Sequence, residues 1–513
     1  MKKILSILFV LIVVGYFFQL YRATVNYSQT DRFADESDHM VGGYFMTKGK
    51  QLYKDISVVH QPLNYYFSAL GQKVFNPNSI FLFVKRQREM VWAYSLFWNV
   101  LYFVFFGKTL LIFTLIFELS KYWFLGNLVL GESLAVYPLV FLFGMVIKKC
   151  ILNSKLHNAD VITFSIATFA GIFLLLQIWP AIFALNLILL AANRKEKQLI
   201  LWQILPFLAL TFVLFLFVPF NHYVQEVFVY NFRYYFPVMD KVDTQAGYLK
   251  MALLPFTSFH PGANPMEWII VILLVIYLLL AYAVWKNKKF FVFLLIILCL
   301  VLSNTRDSQI QFTNFHLLPW IGSFLFISII LLPLLRRNAK KISHYLFMVS
   351  VGIFLGIIVY INAIAKTPFT VKKNIMTEND INYHDINKYG LAIKAVKSPG
   401  DRMISMSGNL IHVVSETDLI TRQIHYYTWQ YSIPGTKERL LDVFQNDPPE
   451  FFVAETIRSF PQFIKPYVIS KYVQVYHQGK LAGLFILKSK VKKISEKQWQ
   501  NFEFYLFQRV TDI

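Results

Sequence analysis

The chain has little charge and almost no cysteine for its length. Asp, Glu, Lys and Arg make up 15% of its 513 residues, whereas a soluble protein contains about a quarter. Its two cysteines, Cys150 and Cys299, provide no disulfide framework. No Walker-type glycine loop and no Gly-x-Ser-x-Gly elbow occurs, so ATP-driven transport and serine hydrolysis have no support. These absences argue against a soluble enzyme and against a disulfide-rich secreted domain.

Apolar residues dominate instead, and they come in long blocks. Hydrophobic residues account for 56% of the chain and aromatic residues for 18%. Blocks long enough to cross about 30 Å of hydrocarbon number about eleven. They lie near residues 4–21, 90–106, 109–122, 128–147, 160–176, 178–192, 199–218, 267–284, 290–304, 317–334 and 345–364. The pattern predicts a polytopic α-helical membrane protein.

The basic residues predict its orientation. The chain starts Met1-Lys2-Lys3, and no small-residue cleavage site follows the first apolar block, so this block is expected to be an uncleaved helix with a cytoplasmic N-terminus. Every second loop is then rich in Lys and Arg, as the positive-inside bias requires. The net charge of +21 is therefore interpreted as topology signals and anionic-lipid contacts, with no nucleic-acid partner. A multi-pass protein of the cell (plasma or inner) membrane is expected.

One basic cluster breaks this alternation. Lys85, Arg86 and Arg88 would lie outside, just before the second span. An extra span across 64–84 would bring them inside, but its polar residues suit a span poorly and it would invert every later loop. The loop 22–89 is therefore expected outside, with an informative basic cluster.

The residues after the last predicted span have the pattern of a folded domain. We expect a small extracytoplasmic α/β domain over 365–513, following a transmembrane region over 1–364. Its predicted elements are a helix over Tyr383–Lys397, strands at Arg402–Met406 and Phe451–Ala454, a helix over Ile457–Ile469, and a hairpin of Tyr472–Tyr476 and Leu481–Leu487.

Short motifs in the first external loop resemble a known family. Asp35-Glu36 follows the first span, Leu52-Tyr53-Lys54-Asp55 comes next, and His60-Gln61-Pro62-Leu63 precedes an aromatic run. This order resembles the first external loop of GT-C glycosyltransferases, particularly the bacterial protein-mannosyltransferase-like and aminoarabinose-transferase-like enzymes. The resemblance covers about 1–364, and it implies an active site on the external face. The implied reaction transfers a sugar, with inversion, from a polyprenyl-phosphate lipid to a protein, lipid or glycan acceptor.

The resemblance also assigns candidate acidic residues. An acceptor hydroxyl is a weak nucleophile, so it needs a carboxylate that takes its proton. Asp35 is the expected base, and Glu36 is expected to orient the acceptor or to share a divalent cation, Mg or Mn, if one is used. Asp38 is a third candidate, because it would lie on a helical face similar to that of Asp35. Glu132 is expected to be a second acidic site that faces the Asp35 pair across the cavity.

The leaving group is a lipid phosphate, whose developing charge needs donors or cations. The candidates that would contact it are basic residues on the external side: His60, Lys85, Arg88, Arg233 and Arg306.

Plainer interpretations of these residues stand beside the functional ones. Outside this context Asp35 and Glu36 would be a solvated helix start, and Glu132 could make a structural hydrogen bond. Lys85, Arg86 and Arg88 could anchor the chain at lipid headgroups. His316 is typical of a satisfied interfacial histidine. The aromatic group Phe232, Tyr234, Tyr235 and Phe236 is typical of an interfacial belt.

Two other functions remain open at this point. One is a non-enzymatic transporter or receptor-like membrane protein, which would be expected to carry charged or broken helices near mid-membrane and repeated halves. The other is a ligase that moves whole glycans from a lipid pyrophosphate.

Overall fold

A computed structural model describes residues 2–28, 34–235, 237, 265–286, 288–303, 314–334, 375–454 and 460–510. Helices dominate the first part of the chain. They are α1 (Lys2–Tyr27), α2 (Ala34–Thr47), α3 (Pro62–Phe75), α4 (Ile80–Phe106), α5 (Leu110–Ser120), α6 (Gly131–Cys150), α7 (Asn158–Leu174), α8 (Trp179–Ala192), α9 (Lys197–Phe217), α10 (Phe220–Tyr223), a π-helix (Val224–Tyr235), α11 (Pro265–Lys286), α12 (Phe290–Leu302) and α13 (Leu318–Ile330). Each predicted span from 4–21 to 317–334 overlaps one of these helices, and the span predicted at 345–364 lies outside the described residues.

The helices have the length and composition of a membrane protein. Among the described residues, four helical segments are long and apolar enough to cross a bilayer: Ile80–Phe106, Gly131–Cys150, Lys197–Phe217 and Phe315–Leu334. Five further apolar helices are shorter, with 10–17 residues. The predicted number of about eleven crossings stays a prediction.

Helix α6 lies at the centre of the bundle, because nearly all its side chains are buried. It packs against α13, which is also buried along its length. Phe326 of α13 in turn meets α4 and α5, with its ring centroid 5.7 Å from that of Tyr102 and 5.2 Å from that of Phe113. This aromatic packing joins the inner helices into one core.

The outer helices expose apolar side chains at helical spacing. The exposed residues are Phe97, Val100 and Val104 on α4, Leu208, Phe212 and Leu216 on α9, and Phe291, Leu294 and Leu298 on α12. Each set recurs every three or four residues, so it forms a stripe along one face of its helix. Apolar stripes on the outside of an apolar bundle match a surface that faces lipid rather than water.

The described part of the loop expected to be external, residues 22–89, is mostly helical. Helix α2 packs closely against α3 because Gly42 and Gly43 have no side chains at the contact. A Cβ on Gly43 would lie 2.7 Å from Oγ of Ser68 and 2.9 Å from the backbone N of Ala69. The close pair holds the acidic motif of α2 beside the start of α3.

Helix α4 begins at Ile80, ten residues before the predicted start of its span at 90. It has 27 residues and is therefore about 40 Å long, which exceeds the hydrocarbon thickness by about 10 Å. Lys85, Arg86 and Arg88 consequently lie inside a helix rather than in a loop. The extra length gives these residues room outside the hydrocarbon without an additional span.

The residues 375–510, called here the C-terminal region, surround a five-stranded sheet. Its helices and strands are α14 (Ile375–Val396), β1 (Arg402–Ser405), α15 (Ile411–Ser415), β2 (Asp418–Leu419), α16 (Thr436–Asn446), β3 (Phe451–Val453), α17 (Lys465–Lys471), β4 (Tyr472–His477), β5 (Lys480–Leu487), α18 (Lys488–Val491) and α19 (Glu496–Phe504). The strand order is β2-β1-β3-β5-β4. Strand β1 runs parallel to β2 and β3, whereas β5 runs antiparallel to β3 and β4.

The strands predicted from sequence are present, and β4 with β5 forms the predicted hairpin. The helix predicted over Ile457–Ile469 is present only from Lys465, where α17 begins. Residues 460–464 form a bend and a turn instead, and residues 455–459 lie outside the described part. Side chains alternate between two faces of the sheet. Met403 and Phe451 join the main core of the chain, whereas Ile404, Phe452 and Phe485 form a second core with α16 and α17. The predicted domain boundary at 364/365 falls among residues that are not described, so it stays a prediction.

Candidate active site

The acidic motif opens helix α2. Asp35 and Glu36 lie in its first turn, where carboxylates are favoured by the helix dipole. Neighbouring residues of an α-helix point about 100° apart, so the two carboxylates meet different surroundings. Asp35 is partly exposed and lines two cavities. Glu36 is only 1% exposed.

Glu36 forms a buried ion pair with Arg88 of α4. Nε of Arg88 donates to Oε1 of Glu36 over 2.9 Å, and Nη2 donates to Oε2 over 2.5 Å. Oε1 also accepts from the backbone N–H of Val129 over 3.1 Å. Arg88 is fully buried, and neither residue is among the described lining of the two cavities. Glu36 and Arg88 thus pair with each other inside the protein, and the roles predicted for them, at the acceptor or a cation for Glu36 and at the lipid phosphate for Arg88, stay predictions.

Two histidines form a hydrogen-bonded chain beside Asp35. Nδ1 of His39 lies 2.8 Å from the carbonyl oxygen of Val129, and Nε2 of His39 lies 2.9 Å from Nδ1 of His60. A carbonyl oxygen only accepts, so Nδ1 of His39 carries a proton. Burial lowers the pKa of His39 to about 4, so its ring is neutral near pH 7 and Nε2 accepts from His60. The charge of His60 then depends on protonation at its own Nε2.

Glu132 lies in the first turn of the central helix α6. It is buried, and its Oε1 is 2.6 Å from Nδ1 of His316. A carboxylate at this depth is costly unless it has a polar partner or faces a polar cavity. Glu132 has both, because it also lines one of the two cavities. His316 is therefore the partner of a candidate acidic residue, a role that the interfacial interpretation did not include.

The two cavities meet at Asp35. The inner cavity, of about 50 Å³, lies among the helices and is lined by Asp35, His39, Val59, His60, Gln61, Asn64, Leu130, Gly131, Glu132, Leu174, Leu175, Leu176, Gln177, Asn231 and Tyr235. The outer cavity, of about 110 Å³, reaches the C-terminal region and is lined by Asp35, Asp38, Ser57, Val58, Val59, His60, Tyr65, Tyr235, Ile424, His425, Tyr427, Trp429 and Gln430. Asp35, Val59, His60 and Tyr235 belong to both linings. A carboxylate and an imidazole thus stand where the cavities join.

The C-terminal region supplies one wall of the outer cavity and is bonded to the acidic helix there. Tyr427 donates to Oδ2 of Asp38 over 2.6 Å, and the side-chain amide of Asn409 donates to Oδ1. Asp38 is buried, and this burial raises the pKa of its carboxyl to about 8. Asp38 and Asp35 line the outer cavity together, and a functional role of Asp38 stays a prediction.

A second carboxylate ties the C-terminal region to the first loop. Glu226 of the π-helix accepts from Oγ of Ser57 over 2.8 Å and from Nη2 of Arg422 over 2.6 Å. Arg422 also donates to the backbone oxygen of Tyr53, and its own carbonyl accepts from the N–H of Ser57 over 2.7 Å. Burial raises the pKa of Glu226 to about 7. Three distant segments therefore meet at one side of the outer cavity.

The aromatic group at the end of the π-helix has mixed surroundings. Phe232 is exposed, as an interfacial belt requires. Tyr235 instead lines both cavities, and its ring centroid is 5.1 Å from that of Trp429. The belt interpretation therefore does not fit Tyr235.

The remaining basic candidates lie away from the described cavity walls. Lys85 is 3.7 Å and Arg86 2.6 Å from carboxylate oxygens of Glu89. Arg233 is exposed and lies over the ring of Tyr234, 5.7 Å from its centroid. Arg306 lies outside the described residues. Of the predicted phosphate ligands that the structure describes, His60 alone lines one of these two cavities.

Metal binding was left open by the sequence. Among the described residues, no group of three or more His, Cys, Asp or Glu side chains is arranged to hold a metal ion. The donor set of the described site therefore does not fit a protein-held Mg or Mn.

Sequence reasoning missed several residues of this site. His39 had a detectable signal, because it follows Asp35 by four residues and so shares its helical face. Glu226, Tyr427 and Trp429 had none, since only the tertiary structure brings their segments to the acidic motif.

A scan against protein-family models finds no match, and a sequence comparison with curated proteins finds none either. The structure is similar to the crystal structure of ArnT from Cupriavidus metallidurans in the apo state. The TM-score is 0.52 with 11% sequence identity, over 94% of this chain and 98% of that chain. A likeness at this identity shows the fold alone. The likeness therefore supports the predicted architecture at the level of the fold, and the activity of this chain stays a prediction.

Proposed function

We propose that the protein is a glycosyltransferase that moves a sugar from a polyprenyl-phosphate lipid to an acceptor hydroxyl on the external face of the cell membrane. The observation that carries this proposal is the position of Asp35 and His60 at the junction of the two cavities. A base and a phosphate-binding group at one junction match what a direct displacement between two substrates needs.

Asp35 is the proposed general base. The acceptor oxygen bonds to the anomeric carbon while the bond from that carbon to the phosphate oxygen breaks. The acceptor proton passes to the Asp35 carboxylate, and the electron pair of the broken bond leaves with the polyprenyl phosphate. Because attack and departure occur on opposite sides of the carbon, the configuration inverts.

His60 is the proposed partner of the leaving phosphate. Its Nδ1 proton is directed at His39, so protonation at Nε2 gives a cationic ring whose orientation is already fixed. A cation held at the junction stabilises the charge that develops on the leaving oxygen. Arg88 acts indirectly in this scheme, because its pairing with Glu36 holds α2 against α4.

The inner cavity is the proposed donor site, and the outer cavity the proposed acceptor site. The inner cavity is bordered by the starts of membrane helices, including Gly131 and Glu132 of α6, where a donor anchored in the bilayer would present its headgroup. The outer cavity opens beside the C-terminal region, which would then help to select the acceptor.

The experiment that tests this function measures sugar transfer from radiolabelled polyprenyl-phosphate sugars by the purified protein. Asp35→Asn removes the base with little change in shape, and we expect its turnover to fall by about 10²–10⁴-fold. The matched control is Asp442→Asn, which makes the same change on the exposed face of α16. The control should retain wild-type turnover.

The outcomes separate the alternatives. A folded Asp35→Asn variant that binds polyprenyl phosphate but does not turn over supports the assignment. Equal turnover in the wild type and the Asp35→Asn variant would show that Asp35 is not the base, and Glu132 would become the next candidate. Turnover only with lipid-pyrophosphate glycans would favour the ligase.

One feature favours the transporter alternative. Glu118 is fully buried within the helices, 2.5 Å from Nζ of Lys121, and ionisable residues inside a membrane often mark a transport path. However, its Oε1 also accepts from Asn99 over 2.7 Å and from Tyr137 over 2.9 Å. These hydrogen bonds join α4, α5 and α6, so Glu118 could equally serve to stabilise the packing of the three helices. Vesicle uptake of sugars by the wild type, without transfer, would support transport.

A further inference from the structure

Two buried amides in the wall of the inner cavity each have one atom without a hydrogen-bond partner among the described residues. These atoms are Nε2 of Gln61 and Oδ1 of Asn64. The residues are 2% and 1% exposed, and both line the inner cavity. An unpaired buried polar atom is costly in a folded protein. A polar ligand in the inner cavity would remove this cost by bonding to both atoms.

The local sequence fixes where these amides lie. Gln61 precedes a proline, which favours the extended backbone that it has (ψ 148°). Pro62 then occupies the first position of α3, where its missing N–H is no loss. Asn64 follows in the same first turn of the helix. The two side chains are thereby held at the start of one rigid helix rather than on a loose loop.

Hydrogen bonds use one atom of each amide. The hydroxyl of Tyr223 donates to Oε1 of Gln61 over 3.0 Å, and the Gln61 atom without a partner is the donor Nε2. Nδ2 of Asn64 donates to the carbonyl oxygens of Gln61 and Leu174, over 3.3 Å and 2.9 Å, so the remaining Asn64 atom is the acceptor Oδ1. The two amides therefore present one donor and one acceptor without a partner.

A donor next to an acceptor matches hydroxyl groups, because each hydroxyl can accept and donate. We propose that Gln61 and Asn64 bind hydroxyls of the donor sugar in the inner cavity and thereby set which sugar the protein accepts. This inference rests on the proposed function, which places the donor headgroup in that cavity. Asp35 and His60 line the same cavity, so a sugar held by these amides lies beside the proposed reacting groups.

The test measures binding rather than turnover, so that it is independent of the acceptor. The wild type in lipid nanodiscs is titrated with polyprenyl phosphate and with a panel of polyprenyl-phosphate hexoses and pentoses. Gln61→Met keeps the length of the side chain and removes its amide. Gln87→Met is the matched control, because Gln87 is also a buried glutamine with one bonded atom and one unpaired atom, and lies outside the described cavity walls.

We expect Gln61→Met to raise the Kd of the preferred sugar lipid by about tenfold, the effect of one lost hydrogen bond. The Kd of polyprenyl phosphate should stay within about twofold, and Gln87→Met should change neither value. Tyr223→Phe, which only frees the Gln61 amide to rotate, should reduce the preference among sugars.

Two results would overturn the inference while the proposed function stands: an equal change in the Kd of both lipids, or no change in either, as expected if the amides hold only water. A wild type that binds polyprenyl phosphate without discriminating among the sugars would also overturn it. A wild type that binds neither kind of lipid contradicts the proposed function itself.

Discussion

The buried ion pair of Glu36 and Arg88 shows that adjacent residues of one helix can have different surroundings. Asp35 and Glu36 are adjacent in sequence, yet one lines the cavities and the other neutralises an arginine inside the protein. Burying two charges carries a large desolvation cost, which only close and well-bonded geometry repays. The pair therefore holds α2 against α4.

Glu36→Gln should lower the free energy of unfolding by about 3–5 kcal/mol, because it leaves Arg88 buried with an unbalanced charge. The measurement is unfolding by SDS titration of the purified protein. Asp447→Asn is the control, since its pair with Arg402 is largely exposed and such a pair contributes about 0–1 kcal/mol. A double variant, Glu36→Leu with Arg88→Met, should recover part of the loss. No loss in Glu36→Gln would contradict the structural role.

Asp38 makes stability depend on pH. Burial raises its pKa from 3.8 to about 8, so between these values the folded protein keeps a proton that the unfolded chain has released. Stability from this group is therefore lost as pH rises from about 4 to about 8, and changes no further above that. His39 acts in the opposite direction, but only between about pH 4 and 6.5, because its pKa is lowered from 6.5 to about 4.

The informative window thus lies between about pH 6.5 and 8, above the range of His39. The unfolding temperature of the wild type should fall as the pH rises across this window. The unfolding temperature of the Asp38→Asn variant should fall by less over the same interval. Differences between the two proteins isolate Asp38 from Glu226, whose pKa of about 7 affects both alike. Parallel pH curves would show that Asp38 does not hold a proton in the folded protein.

At the scale of elements, the contact of α2 with α3 positions the site. Helix α2 carries Asp35 and His39, and His60 and Gln61 immediately precede α3. The distance between these groups is set by how closely the helices approach, which in turn depends on Gly42 and Gly43. Small residues at a helix contact are a usual way to bring two backbones together.

Gly43→Ala should therefore destabilise the protein by about 1–3 kcal/mol. The new Cβ would lie 2.9 Å from the backbone N of Ala69, and a backbone atom cannot rotate away as a side chain can. We also expect turnover to fall, because α3 must move relative to α2. Gly15→Ala is the matched control, since nothing lies within 4 Å of its Cβ position, and Ala favours a helix. Unchanged unfolding in both variants would exclude a tight contact.

At the scale of the whole molecule, the C-terminal region is part of the candidate site. It gives Ile424, His425, Tyr427, Trp429 and Gln430 to the outer cavity. The main core also continues from the membrane helices into the C-terminal region. Removal of the chain from near Lys366 would consequently disturb folding as well as acceptor choice, so a point substitution tests the role more cleanly.

Tyr427→Phe keeps the aromatic ring and removes the hydroxyl that donates to Asp38. We expect the KM for the acceptor to rise several-fold, about the effect of one hydrogen bond, while the Kd for the donor lipid stays constant. Tyr476→Phe, on an exposed tyrosine of β4, should change neither quantity. An effect of Tyr427→Phe on donor binding alone would contradict the division of the cavities.

The sequence by itself determined the features that depend on local composition. Long apolar blocks predicted the helices, alternation predicted β1, β3 and the β4–β5 hairpin, and the position of Asp35 after the first span predicted a carboxylate at the site. Each signal is local because helix formation, strand formation and membrane partitioning depend on neighbouring residues.

The tertiary structure decided which side chains meet. Tyr427 bonds to Asp38 across 389 residues, and no periodicity relates such distant positions. It also separated Glu36 from Asp35, because the orientation of α2 against α4 decides which carboxylate is buried. Basic residues near a span were equally ambiguous, because their charge predicts only that a phosphate could be bound. The packing shows that Arg88 is paired with Glu36, whereas His60 lines the junction of the two cavities.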